Sequence, residues 1–207
     1  MTLDQLKQSE GIEISIERLS IDTIEAAVAI AVHAFGEASE QQLRWQLSPH
    51  GEKPPHVDER EYNKRCWVAK DKAGEVVGIS GLYELRGDSP THAWLEWFAV
   101  KPDQQRKKVG EKLLTYAEGR ARQTGKSHLF LQTSDRKGRE ASAKLYEKDG
   151  LAVCATIDKT GETPHGPLAQ QLTTEVIDTI SDIMRTDIDG GVTVVLRGKR
   201  LTQPVEA

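Results

Sequence analysis

The chain has 207 residues and a net charge of -4, with a pI near 5.9 and a mean hydropathy of -0.53. The acidic balance argues against a general nucleic-acid binder, which carries a basic excess. No apolar run approaches the roughly 18 residues that cross a membrane, and the N-terminus lacks the basic-then-apolar order of a signal peptide. Cys66 and Cys154 lie in apolar runs and read as buried thiols rather than a disulfide, which suits a reducing cytoplasm. With two cysteines and no histidine pair at ligand spacing, no metal site is expected.

Taken in chain order, Ile12–Arg18 alternates apolar and polar residues as a half-buried strand does. Asp22 can cap a helix through about Phe35, with Ile24, Ala27, Val28 and Ala31 on one face and Gly36 at its end. A second short helix is expected over Ser39–Leu47. The polar, proline-containing segment Ser48–Asn63 reads as a loop long enough for a binding role. Strands are expected over Cys66–Lys70, Glu75–Leu85 and His92–Val100, the last apolar on both faces.

From Val109 the period becomes helical, with Val109, Leu113, Ala117 and Ala121 on one face and Gly125 as the stop. A strand (His128–Thr133), a helix (Arg139–Lys148) and a strand (Leu151–Ile157) follow. After the break DKTGETPHGP, the segment Leu168–Arg185 has the apolar spacing of an amphipathic helix. Gly190–Gly191 closes it before a last strand, Val192–Arg197. The plan is a mixed α/β (α+β) fold around one sheet. One domain over residues 1–207 is expected, with 158–190 as an inserted helical segment. That helix can pack on the domain, cover a site or make a homodimer contact.

The stretch AVKPDQQRKKVGEKLL (Ala99–Leu114) joins strand to helix. Pro102 blocks extension of the ladder. The first N–H groups of the following helix lack intrahelical partners, and with the helix dipole they favour an anion. Gly110 offers no Cβ, and Arg106, Lys107 and Lys108 add positive charge. By itself this is equally an ordinary basic loop opening a surface helix.

The residues VKPDQQRKKVGEKLL resemble the acyl-CoA motif of the GNAT superfamily of N-acyltransferases: an apolar strand ending V-x-P, then Q/R-x-x-G-x-G/A, then an apolar helix. Gln105 takes the Q/R place and Gly110 the final glycine place, while Lys108 stands where the family has its first glycine. SAKLYEKDGL (Ser142–Leu151) resembles the family's A-x-x-L-Y-x-x-x-G-F signature. Leu145, Tyr146 and Gly150 match it, Ser142 stands for alanine and Leu151 for phenylalanine. The resemblance covers Ile12 to about Ile157 and, with the final strand, implies a GNAT-like acyl-CoA N-acyltransferase fold with a helical insert before the last strand.

The resemblance implies transfer of an acetyl group from acetyl-CoA, a cosubstrate, to a primary amine of a small molecule or protein by direct attack in a ternary complex. Pyrophosphate would rest on Gln105, Arg106, Lys107, Lys108, Val109 and Gly110. The pantetheine arm would pair with the edge Phe98–Ala99–Val100, where an N–H also serves as oxyanion donor. Tyr146 would protonate the leaving sulfur; the plainer role is helix packing. Glu96 is the candidate base. Alternation places it on a face with Trp94, Phe98 and Val100, where burial would raise its pKa. A salt-bridged or solvent-facing carboxylate is the plainer reading.

Gln132 would orient the amine or satisfy a backbone group. Glu84 is a weaker base candidate, read as an edge or hairpin charge, and His33 and His92 read as ordinary polar contacts. Trp67, Trp94 and Trp97 read as core, and Trp45 as packing beside the acceptor loop. Arg139 replaces an asparagine with which the family commonly contacts CoA; it, Arg136 or Lys137 could meet a nucleotide phosphate. A non-catalytic CoA-binding regulatory or interaction module is the competing reading, favoured by Lys108 and opposed by Tyr146 and Glu96.

Overall fold

The computed structural model describes residues 12–47, 58–135 and 140–202. Eight strands form one sheet: β1 (Ile14–Arg18), β2 (Glu61–Asp71), β3 (Val76–Leu85), β4 (His92–Val100), β5 (His128–Ser134), β6 (Ala152–Asp158), β7 (Gly161–Pro164) and β8 (Val194–Arg200). Their spatial order is β1-β2-β3-β4-β5-β8-β6-β7. All neighbours are antiparallel except β4 and β5, which run parallel. The last strand thus slots between β5 and β6, in accordance with the expected mixed sheet.

Six α-helices are among the described residues, with short 3-10 turns at Pro102–Gln104 and Pro167–Gln171: α1 (Ile24–Phe35), α2 (Ala38–Leu47), α3 (Val109–Gln123), α4 (Glu140–Lys148), α5 (Thr174–Ile183) and α6 (Arg185–Asp189). α1 buries Ile24, Ala27, Val28, Ile30 and Ala31, and Gly36 ends it with φ +94°. The residue before α1 is Thr23, one past the expected Asp22. Its hydroxyl bonds back to Ser20 rather than into the helix. α3 buries the expected face, Val109, Leu113, Ala117 and Ala121, together with Leu114.

Three elements depart from the sequence reading. β2 starts at Glu61, inside the expected loop; EYNKR is polar and shows no apolar alternation, so the sequence carries no strand signal there, and its charges find partners only on folding. The break DKTGETPHGP contains β7, an exposed strand that forms a hairpin with β6. The single amphipathic helix is instead a 3-10 turn (Pro167–Gln171), then α5 and α6. The Thr173 hydroxyl accepts from the Val176 N–H and so sets the start of α5 within that segment.

The sheet has an opposite face for each helix group. Ile79, Gly81, Tyr83 and Leu85 alternate along β3 onto one face. Ile79 lies in the cluster built with Ile24, Val28 and Ala31 of α1. Tyr83 and Leu85 lie in the cluster built with Val176, Ile177 and Ile180 of α5. Leu82 and Leu95 face the other way, against Leu114 and Ala117 of α3 and Tyr146 of α4. α1 and α5 therefore cover different parts of the same face, and a cleft opens between them.

Candidate active site

β4 pairs with β5 only from His92 to Leu95, against His128 to Leu131. Beyond Leu95 the two strands part, leaving the β5-facing edge of β4 unpaired. The other edge of β4 slips at the same level. Gly81 pairs with Glu96 but Ile79 pairs with Ala99, so β4 carries an extra residue. Trp97 takes φ +51° there. Such a conformation in a bulky residue costs about 1–3 kcal/mol and persists only where its surroundings enforce it.

The bulge overrides the expected alternation. Trp97 turns to the α1 side, its ring edge-on to Phe35 at 5.7 Å. Phe98 turns to the α3 side, its ring 5.7 Å from that of Tyr146. Glu96 thus shares its face with Trp94, as alternation requires, whereas Phe98 and Val100 lie on the opposite face. Trp97 is also a correction: it is half-buried and lines the cleft rather than the core.

Glu96 stands over Gly81. A Cβ at that glycine would lie 2.9 Å from Glu96 Cγ, 3.0 Å from Cys66 Sγ and 3.2 Å from the Arg65 carbonyl oxygen. The carboxylate accepts from Lys64 Nζ at 3.4 Å and from Gln46 Nε2 at 3.3 Å. Burial raises its pKa; Lys64 pulls it down and Glu61 pushes it up, leaving it at about 7. Lys64 also donates to Glu61 at 2.5 Å. Burial works against the Lys64 charge, but the two carboxylates outweigh it and its pKa is raised. Cys66 donates to Gln46 Oε1 at 2.9 Å; burial and then Glu96 hold the thiol protonated, well above its ordinary pKa.

Glu96 opens into a cleft of about 660 Å³ whose lining also includes Gln132 and Tyr146. Tyr146 is 6% exposed. Gln132 Oε1 is buried without a hydrogen-bond partner. The structure therefore brings Glu96, Tyr146, Gln132 and Phe98 to one space. It also brings residues the sequence did not single out: Asp58, Glu61, Lys64 and Tyr83 from the meander side, and Asp182 and Asp187 from the last turn of α5 and from α6. Arg60 bridges those two sides, 2.6 Å from Asp58 and 3.3 Å from Asp182. None carried a local signal, since a polar strand end and the polar side of a helix look like solvated surface.

At the junction, the backbone N–H groups from Arg106 to Glu111 reach no backbone acceptor; the first helical bond runs from Lys112 to the Lys108 carbonyl. Arg106 and Lys108 hold φ of +62° and +64°. Lys108 thus occupies the left-handed conformation that glycine favours. Gln105 Nε2 donates to the Val100 carbonyl at 3.3 Å, tying the loop to the end of β4. Gly110 also has a packing part. Its missing Cβ would point inward, 3.1 Å from Leu145 and 3.6 Å from Phe98, so the glycine lets α3 approach α4 and β4.

Glu84 is no edge charge. It is buried, paired to Lys126 at 2.6 Å and to Arg65 at 3.6 Å, and is not among the residues lining the cleft. His92 is buried and bonded through Nδ1 to Asp88 at 2.8 Å. Trp67 and Trp94 are core, Trp45 is half-buried on α2, and His33 lies in the last turn of α1. Both cysteines are free and buried. Arg136, Lys137, Arg139 and most of the loop expected over Ser48–Asn63 lie outside the described residues. No described helix is long and apolar enough to cross a membrane.

Comparison with known proteins places this architecture. No curated protein sequence matches the chain significantly. Among solved structures, a GNAT-family protein from Desulfovibrio desulfuricans shares the fold at 14% identity, covering 92% of this chain and 100% of its own, with a TM-score of 0.62. The ribosomal-protein-S18-alanine N-acetyltransferase of Escherichia coli does so at 19% identity, 94% and 97% coverage and a TM-score of 0.59. An aminoglycoside 6'-N-acetyltransferase complexed with coenzyme A does so at 14% identity, 91% and 97% coverage and a TM-score of 0.60. At such identities the likeness carries the fold. The family model for GNAT acetyltransferases matches residues 29–151, more than half of the sequence, and the chain therefore belongs to the GNAT family of acetyltransferases.

Proposed function

We propose that this acetyltransferase moves an acetyl group from acetyl-CoA to a primary amine by direct attack in a ternary complex. The observation that carries the reading is the placement of Glu96, with a pKa of about 7, in the same cleft as Tyr146, beside the parted ends of β4 and β5. Acetyl-CoA, when bound, supplies the activated acyl carbonyl and the thiolate leaving group. The residues present suit it. The N–H groups of Arg106 to Glu111 and the cations Arg106, Lys107 and Lys108 would hold the pyrophosphate. The unpaired edge of Phe98, Ala99 and Val100 offers strand-like pairing to the amide-rich arm.

Glu96 then takes a proton from the attacking amine as the N–C bond forms. A base of pKa near the working pH is well matched to that step. Tyr146 delivers a proton to the sulfur as the C–S bond breaks. Gln132, with a buried acceptor oxygen open for bonding, orients the amine. Glu96 returns its proton to water through the open side of the cleft, and Tyr146 regains one from water to reset the site.

Thermal shift with acetyl-CoA, followed by thiol release with a panel of amines, tests this directly. Stabilisation plus thiol release is expected. No stabilisation at ligand far above any plausible dissociation constant would remove the CoA site altogether. Stabilisation without release for any amine would leave a CoA-binding module without turnover.

A further inference from the structure

The cleft is acidic on the side that the amine must use. Among the described residues, Asp58, Glu61, Glu96, Asp182 and Asp187 line it, against one lining cation, Lys64. Arg60 and Arg185 stand beside it and pair with Asp182. Arg60 pairs with Asp58 as well, and even with both arginines counted the carboxylates outnumber the cations among the described residues. A concave wall with an excess of one sign concentrates the opposite charge.

A second, independent observation is Tyr83. It is 2% exposed and lines the same cleft, yet its hydroxyl has no hydrogen-bond partner. Lys64 Nζ stands 5.6 Å over its ring, so the phenol sits beside the carboxylate pair that Lys64 serves. Buried hydroxyls are almost always bonded, so this phenol at the cleft wall has capacity for a partner that a ligand can supply. Burial and the surrounding carboxylates hold the phenol protonated.

The geometry points to an acceptor with more than one positive charge: a di- or polyamine whose reacting nitrogen reaches Glu96, whose amine bonds the Tyr83 hydroxyl, and whose second ammonium rests against Asp182 and Asp187. This inference rests on the acetyl-transfer reading above. It disfavours amines bearing a carboxylate near the reacting nitrogen, which would meet more carboxylates than cations there.

Putrescine, n-butylamine and γ-aminobutyrate form a four-carbon series that ends in an ammonium, a methyl and a carboxylate. With acetyl-CoA saturating, kcat/KM should fall by about tenfold at each step in that order, a difference typical of one charge interaction in a partly desolvated site. The advantage of putrescine over butylamine should shrink as salt rises. It should also shrink towards one in the Asp182→Asn, Asp187→Asn double variant, or in Asp187→Asn alone if the double variant melts early. Glu162→Gln, on the exposed strand β7, should leave it intact.

Equal turnover of the three amines, or a preference for γ-aminobutyrate, overturns the proposal while acetyl transfer stands. If no amine is acetylated, the acetyl-transfer reading fails and calorimetry with putrescine and CoA reads the site directly. Binding weakened several-fold by the Asp→Asn changes supports the cationic site; no binding at millimolar putrescine overturns it. Tyr83→Phe should lower putrescine kcat/KM and raise the melting temperature, whereas unchanged kcat/KM removes the hydroxyl from the site.

Discussion

The Lys64 ammonium lies 3.4 Å from Glu96 Oε2 and also 2.5 Å from Glu61 Oε2, so a single cation sets the balance between two carboxylates. Lys64 lowers the pKa of Glu96 and Glu61 raises it. If Glu96 is the base, the acid limb of kcat/KM should fall near pH 7. Lys64→Met should move that limb to higher pH and Glu61→Gln to lower pH. Limbs that stay in place in both variants would assign the base elsewhere.

Glu96 also links activity to stability. Its folded pKa of about 7 exceeds the ordinary carboxylate value, so folding favours the protonated form. The stability tied to that proton is complete below the unfolded pKa and is lost as pH rises through 7. Glu96→Gln should therefore come closest to the parent chain in urea unfolding near pH 4. At pH 8 it should be more stable, by up to about 3 kcal/mol. Its turnover should drop by roughly two to four orders of magnitude. A variant equally inactive but no more stable at pH 8 would mean that the carboxylate is not desolvated.

Gly81 should tolerate no side chain. In Gly81→Ala the new Cβ would press on Glu96 Cγ, Cys66 Sγ and the backbone oxygen of Arg65, the last of which cannot swing away. A loss of about 1–3 kcal/mol is expected, together with a fall in kcat larger than any change in the affinity for CoA. Normal kcat in a folded variant would show that Glu96 adapts freely.

Lys108 sits at φ +64° at the entrance to α3. Lys108→Gly relieves that conformation, partly offset by the freer unfolded chain, for a net gain of roughly 0–1 kcal/mol in unfolding free energy. Affinity for CoA by calorimetry should be kept or improved if the N–H groups from Arg106 to Glu111 provide the cradle, as proposed. A large loss of affinity would show that the lysine has become a phosphate ligand.

Tyr146 separates an acid from a packing residue. Its ring packs with Phe98 in either role, so Tyr146→Phe should fold and bind CoA normally. A drop of about 10²–10⁴-fold in kcat with amine acceptors is expected of a lost proton donor. Unchanged turnover would leave Tyr146 as packing.

Much of this chain is legible before folding. The 3.6 and 2 periodicities mark most helices and strands because each buries one face. The Gln105…Gly110 and Leu145–Tyr146…Gly150 spacings mark the family because a helix start and a close helix packing demand those residue types locally. What folding alone decides is long-range. The extra residue at Trp97 reverses the faces of Phe98 and Val100, and no alternation rule anticipates a bulge. Glu96 owes its surroundings to Gln46, Lys64 and Gly81, each on a different element and as far as 50 residues away in sequence. The acidic wall of the cleft exists only because α5 and α6 pack beside the start of β2, bringing Asp182 and Asp187 opposite Asp58 and Glu61. Backbone periodicity records what each segment buries; charge complementarity across a cleft is a property of segments brought together.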